Sequence, residues 1–573
     1  MIRSCLLKSI FGSLMLIFPL FSTTYHVNNQ HPMASDQHSG TREQPFITAQ
    51  RGVDAAQPGD TVSIASGNYG EIACGRSGRP NAEIVIKGAG PDSTQIQAAE
   101  FTKDVAYISL SDLSVEGFPV WGVFFRGGNH HIHLSRLKVV GGESGIHLTY
   151  GYQGEVPEEG PVSDIVIENS EIRDCLYTAV DGTPGPCHRM AFRQLTVTGA
   201  GITTGGSWGS DGVAIERGSE ILVEYCRIHD NGGDGIDLNS RDSEGQITGN
   251  LVRCNQVYRN HRNGVKLWGG GRMENNLIWG QGHTPVVIGD FPGNYEIVNN
   301  TIAYNMIDSD FSVRDYSFLA AYPDDDTGVS ASIQLTLVNN IFAFNSNEAM
   351  GGPTGLYFGE GVHLVHEGNN IYWSRRDGEI QAEFISTDPW VSRAQLTDGS
   401  WAASTGQGEG NITEDPLFVS GWPDVNLRLN SSSPAIDHGL AQYAPATDVY
   451  SQPRPAGTRA DIGAVEYGGL SACRQNVCPV PRICFLYPPC PNPCNHRISI
   501  RYTVHESVYL KLKIYTIAGR FCSVLADGYH HPGSYRIAWD ALDHDGHPQT
   551  SGIYIVCLQT AQTRESQKMM FIQ

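Results

Sequence analysis

Residues 211–215 read DGVAI, residues 234–238 read DGIDL and residues 263–267 read NGVKL. Each stretch has a polar residue first, glycine second, a β-branched residue third and an aliphatic residue last, while the fourth position varies. The stretches begin 23 and 29 residues apart, about the length of one coil in a solenoid of stacked strands. The pattern therefore predicts three neighbouring coils that carry these stretches in register.

The same kind of unit recurs on both sides of these stretches. From residue 46 to residue 469, short alternating apolar runs are separated by glycine and asparagine turns. Strands of this length at this period predict an all-β chain, folded as a right-handed parallel β-helix over 46–469. Single coils cannot bury their own apolar face, so they must stack on their neighbours.

Asparagine pairs follow several of the predicted strands. Because asparagine tolerates left-handed backbone and bonds to nearby polar groups, we expect these pairs to form hydrogen-bonded ladders along the turns. The pairs are Asn275-Asn276, Asn299-Asn300, Asn339-Asn340 and Asn369-Asn370.

The ends of such a solenoid need covers, because exposed strand edges template aggregation. Residues 47–56 read as a short helix that could cap the N-terminal end. The segment from 433–437 through 461–467 resembles the closing segment of many secreted β-helix proteins.

The N-terminus has the pattern of a secretory signal peptide. Arg3 and Lys8 precede an apolar run over 10–21, and small residues follow. We predict a signal peptide over 1–24, a lead segment over 25–45, and a secreted protein that is extracellular or attached to the cell surface. No transmembrane segment is expected, since the apolar run is short and no later stretch could span a bilayer.

The chain of 573 residues carries 39 basic and 60 acidic side chains, a formal charge of −21. This charge argues against a nucleic-acid partner. It also disfavours direct binding of a polyanion unless a cation bridges the two. We expect a monomer.

Five of the 13 cysteines lie in a proline-rich segment around the predicted linker, residues 470–486. Export favours disulfides there, and zinc binding stays open although no paired CxxC spacing occurs. Four others, which we expect to fill coil interiors or to pair locally, are Cys175, Cys187, Cys226 and Cys254.

Residues 487–573 show a different pattern of alternating strands, which predicts a small C-terminal β-sandwich. This segment resembles the C-terminal sorting domains of the type IX secretion system. The resemblance implies that the type IX secretion machinery is a partner. A carbohydrate-binding or spacer sandwich is the alternative.

The three opening stretches also carry a candidate site. Stacked rungs are about 4.8 Å apart, so Asp211 and Asp234 would be neighbours, with Asp237 beside them. Carboxylates this close repel one another unless a cation holds them, and an all-oxygen set favours Ca²⁺. Lys266 would lie one rung from Asp237, where a bound Ca²⁺ would lower its pKa and suit it to act as a base.

The fourth column extends backwards along the chain. Residues 144–148 and 178–182 fit the same template, which places His147 and Asp181 on earlier coils. Asp181 is a candidate further metal ligand. Asp-Gly and Asn-Gly are also common turn formers, and an Asp–Lys pair on adjacent rungs could be an ordinary surface ion pair worth about 0–1 kcal/mol.

Residues 210–214, 233–238 and 263–267 resemble the core motifs of polysaccharide lyase family 9, secreted β-helix pectate lyases. The resemblance implies that Asp211, Asp234 and Asp237 bind Ca²⁺ and that Lys266 is the catalytic base. Gly233 departs from the family pattern, which has paired aspartates there, so one carboxylate is missing.

The implied reaction is β-elimination. A uronate carboxylate on Ca²⁺ acidifies the neighbouring proton, Lys266 removes it, and the 4-O-glycosidic bond breaks. The expected substrate is an acidic polysaccharide, pectate first. The candidate substrate-binding residues are Arg241, Arg262, Arg272 and Trp268.

Other activities remain open at this stage. Polygalacturonase-type hydrolases carry Gly-His-Gly and Arg-Ile-Lys motifs, and neither occurs in this sequence. β-Helix lyases for alginate and chondroitin fit less well, although a shift of substrate stays open. The alternative of another class is a non-catalytic surface β-helix, an adhesin or a glycan-binding protein.

Overall fold

The computed structural model describes most of the chain between residues 22 and 571. The described ranges are 22–149, 160–202, 210–239, 249–305, 319–323, 332–345, 355–359, 361–373, 381–384, 391–392, 394–421, 425–468, 484–486, 497–504, 508–517, 519–530, 533–544, 546–560 and 564–571. Residues 1–21 of the predicted signal peptide, Arg241 and four of the five clustered cysteines lie outside these ranges.

One face of the main body is a sheet of 13 strands, called here the site sheet because Asp237 and Lys266 lie on it. Its strands pair in parallel from coil to coil, except for the last two, which are antiparallel. The strands are Ile72–Cys74, Ala99–Phe101, Trp121–Phe125, Ser144–His147, Val180–Gly182, Val213–Ile215, Ile236–Leu238, Val265–Leu267, Val286–Asp290, Leu319–Pro323, Leu356–Phe358, Gln381–Phe384 and Val391–Ser392.

Two further ribbons of parallel strands form the other faces. They join where two long strands, Ala106–Glu116 and His130–Val140, run through both. The first ribbon also contains Thr24–Val27, Thr61–Ile64, Ile84–Lys87, Val162–Glu168, Cys187–His188, Ala191–Arg193, Gly218–Ser219, Leu222–Glu224, Leu251–Arg253, Gly271–Glu274, Gly293–Val298, Ile333–Val338 and Val362–Gly368. The second also contains Gly67–Tyr69, Thr94–Ile96, Glu171–Arg173, Thr196–Thr198, Arg227–His229, Gln256–Tyr258, Leu277–Trp279, Thr301–Ala303, Ile341–Ala343 and Ile371–Trp373.

The register of the coils follows from the burial of their aliphatic side chains. In the site sheet Val213, Ile236 and Val265 are directly opposite one another and fully buried, whereas the side chain between each aliphatic pair points outward. A shift by one residue would expose this whole column. Gly235 permits the close stacking, since a Cβ at this position would lie 2.7 Å from the carbonyl oxygen of Gly264.

The four cysteines expected inside the coils are buried free thiols. Cys175, Cys187 and Cys226 fill the interior of the coils, whereas Cys254 packs in the cluster beneath the closing segment. The prediction of coil filling is therefore confirmed for the first three and wrong for Cys254, and none of the four pairs with another described cysteine.

The predicted asparagine ladder is present. Asn276 donates from Nδ2 to Oδ1 of Asn300 at 2.9 Å, Asn300 donates likewise to Asn340 at 3.1 Å, and Asn340 to Asn370 at 3.1 Å. All four are buried. The first asparagine of each pair has a positive φ, between 49° and 60°. The amides thus satisfy turn backbone that would otherwise be buried without partners.

Helices are few in the described residues. Ala49–Ala55 is an α-helix near the N-terminal end, within the predicted segment, and Thr48 accepts a hydrogen bond from the backbone N–H of Arg51. A 3₁₀-helix spans Ala394–Leu396 and an α-helix spans Ser400–Thr405. None of the described helices has the length and apolar character needed to cross a membrane.

The segment with the closing pattern packs along a side of the β-helix. After the antiparallel strands Phe418–Ser420 and Asn426–Leu429, it contributes buried residues such as Val449 and Ile462 to a cluster with Leu277 and Ile341. Asn299 donates to its carbonyl oxygens. It therefore covers outward-facing apolar side chains of several coils.

The C-terminal part contains two antiparallel sheets. One comprises Cys484–Leu486, Ile498–Val504 and Gly533–Trp539; the other comprises Val508–Thr516, Phe521–His530, Gly552–Gln559 and Arg564–Phe571. Residues from both sheets form one buried cluster that is separate from the β-helix core. The first strand lies in the segment predicted as the linker.

Candidate functional site

The three stretches that open the sequence lie on adjacent coils of the site sheet. Ala214 is opposite Asp237, and Asp237 is opposite Lys266. This is the stacking expected from the spacing. The variable fourth positions therefore form one outward column, with a carboxylate next to an amine.

The first positions form a second column, and hydrogen bonds connect its rungs. The backbone N–H of Asp234 donates to Oδ1 of Asp211 at 2.7 Å. Asn263 donates from its backbone N and from Nδ2 to Oδ1 of Asp234, at 2.8 and 2.9 Å. One oxygen of each aspartate thus fixes the backbone of the next coil, which also gives these aspartates a structural role.

The second oxygen of Asp234 and one oxygen of Asp237 face Lys266. Its Nζ lies 2.6 Å from Oδ2 of Asp234 and 3.2 Å from Oδ2 of Asp237. The Lys266 side chain is 13% exposed, and that of Asp234 is 3% exposed. The ammonium also lies 5.0 Å from the centre of the Trp268 ring. Lys266 and the three aspartates, Asp211, Asp234 and Asp237, are called here the Lys266 cluster.

Burial and mutual repulsion shift the protonation of this cluster. Burial raises the pKa of the Asp211 carboxyl well above its usual value, and the charges of Asp234 and Asp237 raise it further. Burial alone would lower the pKa of Lys266, but the neighbouring carboxylates outweigh this effect and raise it. In this arrangement Lys266 is therefore a cation.

Gly233 lies tightly against the first column. A Cβ at this position would lie 2.3 Å from Oδ1 of Asp211 and 2.8 Å from the carbonyl carbon of Ser210. A second aspartate could therefore not be added here without displacing Asp211 or the backbone. The packing at Gly233 therefore leaves no room for a further side chain beside Asp211.

Asp181 is not part of the Lys266 cluster. It shares the outward column, but Ala214 separates it from Asp237, so it is two rungs away, or roughly 10 Å. Its Oδ2 lies 3.2 Å from Nδ1 of His147, and its Oδ1 accepts from the backbone N–H of Thr183. The structure gives Asp181 these partners instead of a place beside the other three aspartates.

The candidate arginines differ in position. Arg272 is on the first ribbon, away from the site sheet, and its guanidinium binds Glu274, Glu296 and the carbonyl oxygen of Tyr443. These partners hold the guanidinium on that ribbon, so the predicted role of Arg272 in substrate binding is not supported. Arg262 is half-buried, and its backbone N–H donates to the carbonyl oxygen of Gly233, one rung from Asp234.

Two features were not foreseen from the sequence. Asn263 anchors Asp234, and its place in the first column was the available signal. An aromatic cluster of Trp121, Phe124 and His147 lies further along the site sheet. Trp121 and Phe124 lie on the same strand, and the register with the next coil adds the ring of His147.

The donor chemistry of the three aspartates suits a hard divalent cation, and their excess negative charge favours one. Their arrangement is closed around the lysine. Among the described residues, no three His, Cys, Asp or Glu side chains converge in a way that could hold a metal ion. A cation at the Lys266 cluster would have to take the carboxylate oxygens that now contact Nζ.

Comparisons with known proteins support the fold. The family model for a right-handed beta helix region matches residues 121–307. The chain is 22% identical over 343 residues to the uncharacterized protein YwoF of Bacillus subtilis (strain 168). The aligned region covers 48% of this chain and 73% of that protein.

Solved structures similar to this chain include pectate lyase Pel9A, with 14% identity, a TM-score of 0.34 and coverage of 78% of this chain and 96% of that one. XylC in complex with xylose has 12% identity, a TM-score of 0.43 and coverage of 78% and 98%. An alginate lyase from Paenibacillus sp. str. FPU-7 has 14% identity, a TM-score of 0.34 and coverage of 59% and 99%. Taken with the strand register, the family match establishes that this chain contains a right-handed parallel β-helix.

Proposed function

We propose that this protein is a secreted, calcium-dependent polysaccharide lyase that cleaves a uronate polymer by β-elimination, with pectate as the first candidate substrate. One observation carries the proposal. A lysine with an accessible edge contacts two carboxylates on an outer strip of a β-helix, beside an aromatic ring.

Lys266 would act as the base. Its neutral amine takes the proton on C5 of the uronate, the electron pair forms a C4–C5 double bond, and the bond from C4 to the glycosidic oxygen breaks. The leaving oxygen takes a proton from solvent. Because Lys266 is a cation when paired with Asp234 and Asp237, it must lose a proton before it can act.

Asp211, Asp234 and Asp237 would hold the calcium ion. When bound, Ca²⁺ would engage the substrate carboxylate, acidify the C5 proton and favour the neutral form of the lysine. The surplus of carboxylates over the single ammonium supports this assignment. Trp268 would line the sugar site, and Arg262 is the described arginine that could meet a flanking carboxylate.

The test incubates the mature protein with polygalacturonate, pectin, alginate and chondroitin, with Ca²⁺ or with a chelator. Product is followed by the ultraviolet absorbance of the new double bond. We expect activity on one polyuronate, its loss with chelator, and its loss in Lys266→Ala. Lys87→Ala is the matched control, because Lys87 is exposed and lies 3.8 Å from Asp112 on another face.

Absence of product from every polyuronate would refute the lyase. Activity that persists in Lys266→Ala would refute the assignment of the base but leave the reaction standing.

A second candidate is a non-catalytic glycan-binding protein. The ion pairs of Lys266 with Asp234 and Asp237 favour it, since they hold the side chain as an ammonium, which cannot abstract a proton. Retention of the protein by immobilised polygalacturonate, with no rise in absorbance, would select this candidate.

The proposal includes export through the type IX machinery, with residues 487–573 as the signal. The separate core of the two C-terminal sheets supports an independent module. Deletion of this segment should retain the protein inside a host that has the machinery. Unchanged export would refute the assignment.

A further inference from the structure

We infer that the site sheet carries a second saccharide-binding subsite, at Trp121, which takes a neutral pyranose unit of a long polymer. The inference rests on the proposed function for the direction in which the polymer runs, and its binding test does not require cleavage.

The subsite lies in a cleft of about 450 Å³ near the N-terminal end of the site sheet. Phe118, Trp121 and Phe124 form its apolar side, and Glu71 and Glu100 add carboxylates. A concave site of aromatic rings with a few polar groups is the usual composition of a small-ligand site. The flat faces of a sugar ring carry C–H groups that pack on indole, and its hydroxyls can donate to carboxylates.

Trp121 is held in place for this role. One side of its ring stacks on Phe124, with centroids 4.2 Å apart, and on His147, with centroids 5.0 Å apart. Phe124 and His147 are buried, whereas Trp121 is half-exposed and lines the cleft. An aromatic side chain fixed before binding loses little entropy when a ligand stacks on it.

Asp181 lies beside the rings of this subsite. Its carboxylate lies 3.2 Å from His147 Nδ1, and the His147 ring is nearly parallel to the indole, at 13°. The second partner of Asp181, the backbone of Thr183, fixes the carboxylate in turn. The contact with His147 gives Asp181 a partner outside the Lys266 cluster, although Asp181 lies in the same outward column.

The cleft and the Lys266 cluster lie on one straight track. Phe124, His147, Asp181, Ala214, Asp237 and Lys266 are opposite one another on successive coils. Five rungs separate Phe124 from Lys266, which corresponds to roughly 24 Å. This distance is comparable to the length of several sugar units of an extended polymer.

The charges in the cleft favour a neutral sugar. Glu100 forms an ion pair with Arg126 at 2.8 Å, so the exposed Glu71 leaves the cleft with excess negative charge. A uronate carboxylate would meet a like charge there. Binding energy from this subsite would hold long substrates and would not contribute to the capture of short oligouronates.

The test measures retardation of the full mature protein in native gels that contain galactan, xylan or polygalacturonate. We expect at least one neutral polymer to retard the protein, and Trp121→Ala to weaken that binding by about tenfold or more. Trp121→Phe should retain part of the affinity. The control is Tyr529→Ala, which removes an aromatic ring that is 79% exposed in the C-terminal sheets.

Charge reversal gives a second readout that does not depend on the indole. Glu71→Lys should weaken retardation by the neutral polymer and increase retardation by polygalacturonate, whereas Glu43→Lys, at another exposed glutamate, should change neither. Failure of every neutral polymer to retard the protein, or equal retardation of Trp121→Ala and the parent, would overturn the subsite. Retardation by a neutral polymer without lyase product on any uronate would retain the subsite and refute the lyase.

Discussion

Replacement of Lys266 by methionine is the sharpest test of the charge balance at the site. Methionine keeps an unbranched side chain of similar length but removes the ammonium that contacts Asp234 at 2.6 Å and Asp237 at 3.2 Å. Three carboxylates would then lie together without a cation, and two of them also hold the backbone of the next coil.

The expected loss of stability can be bounded. Two unit charges 4 Å apart interact by about 4 kcal/mol at an effective dielectric constant of 20, and part of this is offset by the cost of desolvating the charges. Removal of one partner from a buried pair costs about 3–5 kcal/mol. Protonation of one carboxyl group offsets part of this cost, so we expect Lys266→Met to lower the free energy of unfolding by about 3 kcal/mol at neutral pH.

Calcium supplies the second measurement. If the three aspartates hold Ca²⁺ as proposed, the ion would compete with the Lys266 ammonium for the carboxylate oxygens in the parent, and Lys266→Met would remove this competitor. Saturation at 100 times Kd would add about 2.7 kcal/mol, so Ca²⁺ should raise the unfolding midpoint of the variant more than that of the parent.

The assay is thermal unfolding followed by circular dichroism, with chelator and across a Ca²⁺ series. Lys87→Met is the matched control, because Lys87 is 56% exposed and should change stability by less than about 0.5 kcal/mol. If Lys266→Met unfolds at the parent midpoint in chelator, the ammonium does not balance the carboxylates. If Ca²⁺ shifts neither protein, the three aspartates do not bind the ion.

Three further results are expected. Gly233→Ala should lower stability by about 1–3 kcal/mol in denaturant titrations, because its Cβ meets Asp211 at 2.3 Å, whereas Gly70→Ala, with open space around it, should be nearly neutral. Asn300→Ala removes a buried amide that is hydrogen-bonded to two neighbouring asparagines, so it should lower the free energy of unfolding by about 2–3 kcal/mol. Asn294→Ala, at an exposed asparagine, should show no such loss in the same denaturant titration. Burial raises the pKa of Asp461 to about 6, so the folded chain holds this proton more tightly than the unfolded chain. Acidification from pH 7 to about 4.5 therefore stabilises the fold through this carboxyl group. Asp461→Asn lacks this contribution, so in parallel melts its stability should fall more steeply over the same pH range than that of the parent.

The sequence by itself determined the repeat and much of the site. Because side chains at equivalent positions of stacked coils must align, the three in-register stretches were sufficient to place Asp237 opposite Lys266 and to extend the column to His147 and Asp181. The asparagine ladder was also predicted from the sequence, because the asparagine pairs occupy equivalent turns and stacking of the coils places their amides next to each other.

Only the tertiary structure decided which neighbours each charged group has. Arg272 lies near Lys266 in sequence but on another face, because a coil turns the chain through three directions within about 25 residues. Asp181 matches the column but contacts His147, since a partner on the adjacent rung is closer than a cluster two rungs away. The contact between Lys266 and Asp234 and the stacking of His147 on Trp121 join side chains of different coils, and local sequence does not encode the distances between them.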